Sequence, residues 1–273
     1  MERQQKRETQ GKKNLNRSNL PSILTGARKN NAENTSAKIK SVHADKIDVI
    51  SQELNDLRKA IPDRDRMKFG FDNSALHKGK ILFTATRINF RYGTQPIWKE
   101  NLDFQITSGE RIALKGQNGS GKTTLIKLIL GSWAAQTGTV YRADNKAVYI
   151  DQDYSLLDNT LSVYEQSQQF NTSALHEHEI KTRLNRYLFT RDDWDKPCGV
   201  LSGGERMRLM LCCLTISSKS PDIIMFDEPT NNLDIQNVEI LTAAINEYQG
   251  TVVVVSHDET FLEEINIERT IEL

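Results

Sequence analysis

The chain contains two hydrophobic patterns of different period, which meet near residue 80. The first has apolar residues spaced alternately by three and four positions: Ile47, Ile50, Leu54, Leu57 and Ile61. This spacing predicts the apolar face of one helix, which Pro62 ends. The stripe is too short for a free-standing coiled coil, so we expect a partner helix in this chain or in another.

The second pattern consists of short continuous apolar runs, which are typical of buried parallel strands. Such runs cover residues 223–226 and 251–255, and further strands are predicted at residues 81–83, 88–90, 111–114 and 147–150 and in a segment that ends at Ile106. Helical patterns lie between these runs, over residues 124–130, which Gly131 closes, and over most of residues 160–190. The alternation predicts an α/β domain over residues 81–273.

Composition excludes several classes of protein. Apolar residues make up 37% of the 273 residues, and no apolar stretch approaches the roughly 18 residues of a membrane span or follows the N-terminus as in a secretory signal. The three cysteines, Cys198, Cys212 and Cys213, do not form the even set of a disulfide framework. We therefore expect a cytoplasmic protein with reduced thiols and no direct membrane insertion.

The net charge of zero conceals a division of charge along the chain. Residues 1–80 contain 18 basic and 10 acidic residues, a net charge of +8, and residues 81–273 carry the balancing −8. Two interpretations stay open: a solubilising tail, or an arm that contacts nucleic acid. In the second interpretation, the candidate contacts to RNA phosphates are Lys12, Lys13, Arg17, Arg28 and Lys29.

A phosphate-binding motif lies between the strand predicted at 111–114 and the helix predicted at 124–130. It fits G-x-x-x-x-G-K-[ST] at every fixed position and comprises Gly116, Gln117, Asn118, Gly119, Ser120, Gly121, Lys122 and Thr123. Its glycines allow backbone N–H groups to surround phosphates at a helix N-terminus. We expect Lys122 to reach the β- and γ-phosphates of ATP and the Thr123 hydroxyl to bind Mg²⁺, with Thr124 as the next nucleotide contact.

Two adjacent acids end the apolar run at 223–226. Asp227 is expected to hold Mg²⁺, because it follows a buried strand in a chain that also has a phosphate-binding motif. Glu228 is expected to orient or deprotonate the attacking water. The alternative is a solvated strand end with no role in chemistry.

Further segments resemble the ATP-binding-cassette (ABC) ATPases. The family's signature is matched by Leu201, Ser202, Gly203, Gly204 and Glu205, and its D-loop by Asn231, Asn232, Leu233 and Asp234. Three single residues also correspond to family positions: Gln152 to the Q-loop glutamine, His257 to the switch histidine, and Tyr92 to the aromatic residue that stacks on adenine. The resemblance implies a P-loop cassette with a mixed, mainly parallel sheet and a helical subdomain.

The same resemblance implies roles for these residues. Gln152 joins Thr123 and Asp227 around Mg²⁺, while His257 holds the γ-phosphate and the attacking water in line. In this family the signature completes the ATP site of a partner cassette, so that two cassettes enclose two ATP molecules. A single cassette therefore needs a second one, which is either a missing N-terminal half or another copy of the chain.

Three features resemble the ABC-F group of the family, whose members act on ribosomes. Residues 227–234 read D-E-P-T-N-N-L-D, against D-E-P-T-N-H-L-D in that group, so that Asn232 departs from the pattern. The acid Glu205 is followed by the base Arg206, as in the ABC-F signature. Transporter ATPases commonly have Gln at the position of Glu205. Residues 1–80 are similar to the basic linker before the second cassette. The alternatives are the ATPase subunit of a membrane transporter, and a DNA-repair or other soluble cassette ATPase.

The ABC-F resemblance implies a domain organisation and a partner. Residues 1–62 correspond to the basic α-helical linker, residues 63–80 to a connector and residues 81–273 to the cassette, so the chain is similar to the C-terminal half of a two-cassette protein. In that group the linker reaches toward the P-site tRNA. The implied partners are the ribosome, rRNA and tRNA, and the implied function is in translation or in ribosome protection against antibiotics.

Overall fold

The computed structural model describes residues 77–273 of the chain. The strands are β1 Ile81–Asn89, β2 Leu102–Thr107, β3 Arg111–Lys115, β4 Thr137–Arg142, β5 Ala147–Ile150, β6 Ile223–Asp227, β7 Thr251–Val255 and β8 Arg269–Glu272. The helices are α1 Lys122–Leu130, α2 Val163–Gln169, α3 Glu177–Arg186, α4 Gly203–Ile216, α5 Ile235–Glu247 and α6 Glu259–Glu264. Two short 3₁₀ turns cover Arg191–Asp193 and Cys198–Val200. The predicted helical stripe at 47–61 and the basic arm lie outside the described residues.

Five strands form a parallel sheet in the order β5-β6-β7-β3-β8. Its central strand β7 is buried at all five positions, as its continuous apolar run predicted. Because all five strands run in one direction, the segments that follow β3, β5, β6 and β7 emerge at one edge of the sheet. That edge is where ligands bind in open α/β sheets.

Side chains alternate between the two faces of this sheet, and each face has its own core. Val252 and Val254 pack into a cluster with helices α4, α5 and α6. Val253 and Val255 pack into a second cluster, with α1 and the three-stranded sheet. Cys212 and Cys213 lie within α4 and are fully buried in the first cluster.

The remaining strands form an antiparallel sheet in the order β2-β1-β4. The mixed sheet expected from the family resemblance is therefore two separate sheets. The apolar runs at 81–83 and 88–90, predicted as separate strands, belong to one strand, β1, whose pairing is irregular around Arg87, where φ is 50°. Sequence patterns did not predict β4 and β8, because most of their residues are at least partly exposed and lack a continuous apolar run.

The helical predictions agree with the structure in part. Helix α1 begins at Lys122, two residues before its predicted start, and Gly131 ends it with φ at 80° and its N–H bonded to the Leu128 carbonyl. The segment at 160–190 contains two short helices, α2 and α3, separated by irregular chain. Among the described residues, no helix has both the length and the apolar composition needed to cross a bilayer.

Candidate functional site

The phosphate loop, residues 116–123, connects β3 to α1. Gly119 and Gly121 have φ of 83° and 96°, in the left-handed region that favours glycine. A Cβ at Gly116 would lie 2.5 Å from Ser120 Oγ and 2.9 Å from the Leu273 carbonyl oxygen, so a larger residue would displace the loop. The glycines of the predicted motif are therefore required by the backbone that forms this cradle.

The polar groups of the phosphate loop are arranged around a space that suits an anion. Lys122 Nζ donates to the Gly116 carbonyl at 2.7 Å and to the Gln117 carbonyl at 3.2 Å, so its ammonium group lies over the loop. The buried Ser120 Oγ has no hydrogen-bond partner among the described residues. Helix α1 has no side-chain cap and no acid in its first turn. An ammonium group, an unpartnered hydroxyl and an uncapped helix N-terminus fit a polyphosphate.

Trp98 supports the outer side of this loop, a role that the sequence analysis missed. Its indole Nε1 donates to the Ser120 carbonyl at 3.0 Å, and the side chain is buried at 4% exposure. Its own carbonyl accepts from Asn89 Nδ2 at 2.9 Å, which ties the loop to β1. No local sequence pattern predicts this role of Trp98, because its hydrogen-bond partner Ser120 is 22 residues away in the chain.

Tyr92 extends from an aromatic cluster beside α1. Its ring meets Phe90 edge-on at 5.4 Å and Trp133 edge-on at 5.7 Å, and Phe90 and Trp133 stack on each other at 5.1 Å. The Tyr92 hydroxyl lies 2.9 Å from Thr124 Oγ1, next to the end of the phosphate loop. The residue remains 69% exposed, which leaves ring surface available for stacking with a planar base.

The acids that follow β6 have defined partners. Tyr149 on β5 donates its hydroxyl proton to Asp227 Oδ2 at 2.7 Å. The Glu228 N–H donates to the Val255 carbonyl at 2.8 Å, and its φ of 49° is strained for a non-glycine residue. His257 Nε2 lies 3.4 Å from Glu228 Oε1. The structure therefore brings Glu228 and His257 together at the edge of the parallel sheet.

Gln152 and Thr123 are less constrained than Asp227. Gln152 is exposed and lies in a turn where Asp151 Oδ1 accepts from the Ser155 N–H at 2.8 Å. Within residues 77–273, no side-chain hydrogen bond joins Gln152, Thr123 and Asp227 to one another. The side-chain oxygen atoms of all three residues are nevertheless of the ligand type that Mg²⁺ prefers. Gln152 follows β5, Asp227 ends β6 and Thr123 ends the phosphate loop after β3, so all three lie at the same edge of the parallel sheet.

The signature segment forms the beginning of α4. Ser202 is the N-cap residue, and its Oγ accepts from the Glu205 N–H at 3.3 Å. Glu205 Oε2 accepts in return from the Ser202 N–H at 2.8 Å and from the Ser202 hydroxyl at 2.7 Å. This is a capping box, which stabilises the helix start. Burial raises the pKa of Glu205, whereas the two hydrogen bonds from Ser202 and the charges of Lys196 and Arg208 lower it, and the net pKa is lowered.

The D-loop packs directly against the signature. A Cβ at Gly203 would lie 3.5 Å from the Asn232 carbonyl oxygen, and one at Gly204 would lie 2.6 Å from Asn237 Cγ. The loop is turned by Asn232, whose φ is 61°, and Asp234 then caps α5 by accepting from the Asn237 N–H at 2.8 Å. Leu201, the first residue of the signature, is buried, whereas Asn231 and Asn232 of the D-loop are exposed.

Asn237 is a second residue that the sequence analysis missed. Its Nδ2 donates to Asp234 Oδ1 at 2.9 Å, and its Oδ1 accepts from Arg208 Nη1 at 2.6 Å. The side chain therefore joins the D-loop cap to the signature helix. The Asp-x-x-Asn spacing from Asp234 was a usable signal for the helix cap, but the contact with Arg208 on α4 is visible only in the folded chain.

The chain is similar in sequence to known ATP-binding proteins. Residues 99–231 match the protein-family model described as ABC transporter. The "Putative ATP-binding protein YdiF" of Bacillus subtilis (strain 168) is 34% identical over 222 residues, which are 81% of this chain and 33% of that protein. The "ABC transporter F family member 5" of Arabidopsis thaliana is 35% identical over 220 residues, which are 77% of this chain and 30% of that protein.

A third relative has a similar sequence identity and is covered to a similar extent. The "ATP-binding protein Uup" of Escherichia coli (strain K12) is 35% identical over 197 residues, which are 69% of this chain and 30% of that protein. The chain thus spans about a third of the length of these curated relatives.

Solved structures support the fold. A structure described as "An inward-facing conformation of a putative metal-chelate type ABC transporter" superposes with a TM-score of 0.57 at 23% identity, over 71% of this chain and 80% of that one. A bacterial Atm1-family ABC exporter with ATP bound gives a TM-score of 0.56 at 19% identity, over 70% of this chain and 37% of that one. The predicted α/β P-loop cassette fold is confirmed.

Proposed function

We propose that the chain is the ATP-hydrolysing cassette of an ABC-F type protein that acts on the ribosome. The observation that carries the proposal is the segment from Asp227 to Asp234. Its sequence resembles the ABC-F D-loop region, and it connects Glu228, which lies beside His257, to the cap of α5. Relatives at 34–35% identity include an F family member and two proteins named as ATP-binding.

The ATP site is assigned to the phosphate loop and to the acids beside it. Lys122 and the N–H groups of the loop bind the phosphates, and the exposed Tyr92 ring stacks on the adenine. Thr123, Gln152 and Asp227 are the residues that hold Mg²⁺, which when bound neutralises charge on the phosphates.

Two neighbouring side chains are assigned to the hydrolytic step. Glu228 accepts a proton from the attacking water, because its carboxylate follows β6 at the ligand-binding edge of the sheet. His257, 3.4 Å from Glu228, orients that water and contacts the γ-phosphate.

The signature surface is assigned to the ATP of a second cassette. Ser202 and the N–H groups of Gly203 and Gly204 lie at the start of α4, where the helix dipole favours an anion. Leu201 anchors this segment, Glu205 holds Ser202 in its cap, and the D-loop packs beside both. The second cassette is either the N-terminal half of a longer protein or another copy of the chain. Hydrolysis would then release the two cassettes from each other.

The ribosome contact is assigned to the basic arm, which lies outside the described residues. Its support is the net charge of +8 over residues 1–80 and the candidate contacts Lys12, Lys13, Arg17, Arg28 and Lys29. In this proposal residues 1–62 are the arm, residues 63–80 the connector and residues 81–273 the cassette. A role in translation or in antibiotic resistance would follow from arm contacts with rRNA and tRNA.

The experiment is co-sedimentation of the full chain with ribosomes at rising salt. Each phosphate contact contributes a slope of roughly 0.7–0.9 in log affinity against log salt. Reversal of Lys12, Lys13 and Arg17 to Glu should therefore lower the slope by about 2. The matched control reverses three exposed basic residues of the cassette, Lys99, Arg186 and Arg191, and should leave it unchanged.

Three results would contradict the ribosome assignment. They are binding that does not depend on salt, an equal effect of the arm and cassette reversals, and the absence of ribosome binding. A tight complex with a membrane permease would instead support the transporter alternative.

A further inference from the structure

Tyr149 is not among the site residues predicted from the sequence. It lies on β5, opposite Met225 of β6, two residues before Asp227. Its ring is partly buried against the core cluster that contains Met225 and α1, which fixes the direction of the hydroxyl. The hydroxyl donates to Asp227 Oδ2 at 2.7 Å. The partly buried ring and its hydrogen bond together restrict the rotation of the Asp227 carboxylate.

The chemistry of this hydrogen bond suits a carboxylate that must bind a cation. The Tyr149 hydroxyl is an uncharged hydrogen-bond donor. A neutral donor leaves the negative charge of Asp227 in place, whereas a lysine or arginine partner would neutralise it. It also engages only one of the two carboxylate oxygens, so that Oδ1 remains available to a second ligand.

We propose that Tyr149 is a positioning residue for magnesium, which holds the Asp227 carboxylate so that its other oxygen faces the Mg²⁺ of bound Mg·ATP. The inference rests on the proposed ATP site. Partners of this kind orient metal-binding carboxylates, and their loss typically lowers metal affinity by about 10- to 100-fold. The effect reaches the metal through Asp227 and involves no contact between Tyr149 and the nucleotide.

The test is the magnesium dependence of ATP binding by the full chain. Calorimetry of Tyr149→Phe should require about tenfold more Mg²⁺ for half-maximal enhancement of ATP affinity. Its ATP affinity in EDTA should match that of the wild-type chain. The control is Tyr154→Phe, a buried tyrosine in the loop after β5 that packs in the other core cluster. Within residues 77–273 it makes no hydrogen bond to Asp227, so this variant should titrate as the wild-type chain does.

A double-mutant cycle with Asp227→Asn separates positioning from a general structural effect. In the Asp227→Asn background, Tyr149→Phe should no longer change the Mg²⁺ titration. Electron paramagnetic resonance of Mn²⁺ with ATP gives a second readout, in which Tyr149→Phe should weaken Mn²⁺ binding in the presence of Asp227 only.

The possible results separate this inference from the ATP-site assignment. If Lys122→Ala binds Mg·ATP as tightly as the wild-type chain, the proposed ATP site is wrong. If Lys122→Ala loses binding but Tyr149→Phe titrates as wild type, only the role of Tyr149 is overturned. An equal loss of ATP affinity in EDTA, or an effect that persists with Asp227→Asn, would likewise overturn it.

Discussion

The helices α1 and α4 begin in opposite ways, although both N-termini are assigned to phosphate. The N-cap residue of α1 is Gly121, which provides no side-chain cap, and the first turn contains no acid. The N-cap residue of α4 is Ser202, which forms a complete capping box with Glu205 in the first turn. An uncapped N-terminus leaves its N–H groups and its positive dipole end for a ligand, whereas a capping box satisfies two N–H groups within the chain.

This difference distinguishes two kinds of site. One chain completes the phosphate loop, whereas the signature surface is assigned to the ATP of a second cassette. The phosphate loop already contains a lysine, an unpartnered hydroxyl and open N–H groups. At the signature surface, Ser202 and Glu205 already bond to each other, and the segment packs against the D-loop. We therefore expect changes in the phosphate loop to alter ATP binding, and changes in the signature to alter stability and the response to a second cassette.

The largest expected effect comes from Glu228, which follows β6 at the ligand-binding edge of the sheet. Glu228→Gln preserves the shape of the side chain but removes the proton acceptor, so ATP turnover should fall at least about 100-fold while ATP affinity stays unchanged. Phosphate release measured with a supplied second cassette, together with calorimetry, tests this. The control is Glu259→Gln, an exposed acid paired with Lys115. Wild-type turnover in Glu228→Gln would exclude it as the base.

Lys122→Ala should cause the largest loss of ATP binding. It removes a charged donor from the phosphate site, and a charged hydrogen bond contributes on the order of 2 kcal/mol, so affinity should fall at least about 30-fold. The matched control is Lys115→Ala, seven residues earlier in the chain, whose Nζ pairs with Glu259 at 2.7 Å. Calorimetry with Mg·ATP measures both, and equal affinities would reject the phosphate loop as the binding site.

Gly204→Ala should destabilise the signature surface without weakening ATP binding. The new Cβ would lie 2.6 Å from Asn237 Cγ, and moving Asn237 would break its bonds to Asp234 and Arg208. Overpacking of this kind costs about 1–3 kcal/mol. Gly203→Ala is the adjacent control, since its Cβ would meet only the Asn232 carbonyl at 3.5 Å. Thermal unfolding should show a lower Tm for Gly204→Ala alone, and equal Tm values would contradict the packing argument.

Ser202→Ala should have the smallest effect. Loss of the N-cap should lower the free energy of unfolding by about 1 kcal/mol and leave the chain's own ATP affinity unchanged. Ser162→Ala is a matched comparison, because Ser162 caps α2 with the same capping box through Glu165. Denaturant unfolding should give similar losses for both variants. A fall in ATP affinity specific to Ser202→Ala, measured without a second cassette, would contradict the division between the two helix N-termini.

The sequence by itself determined the features that depend on neighbouring residues. The phosphate loop was predicted because its glycines and its lysine lie within eight consecutive positions. The inner strands β3, β6 and β7 were predicted because burial on both faces demands continuous apolar runs. The acids at 227–228 were predicted as neighbours of the phosphate loop, because parallel strands bring their carboxyl ends to one edge.

The tertiary structure alone decided the contacts between distant segments. Trp98 supports Ser120, and Tyr149 holds Asp227 across 78 positions of chain. Asn237 joins α5 to Arg208 on α4. None of these pairs produces a periodic pattern, because each contact depends on how the sheet and helices bring separate segments together. The exposed strands β4 and β8 escaped prediction for a related reason, since their pairing comes from hydrogen bonds to neighbouring strands that apolar patterning does not record.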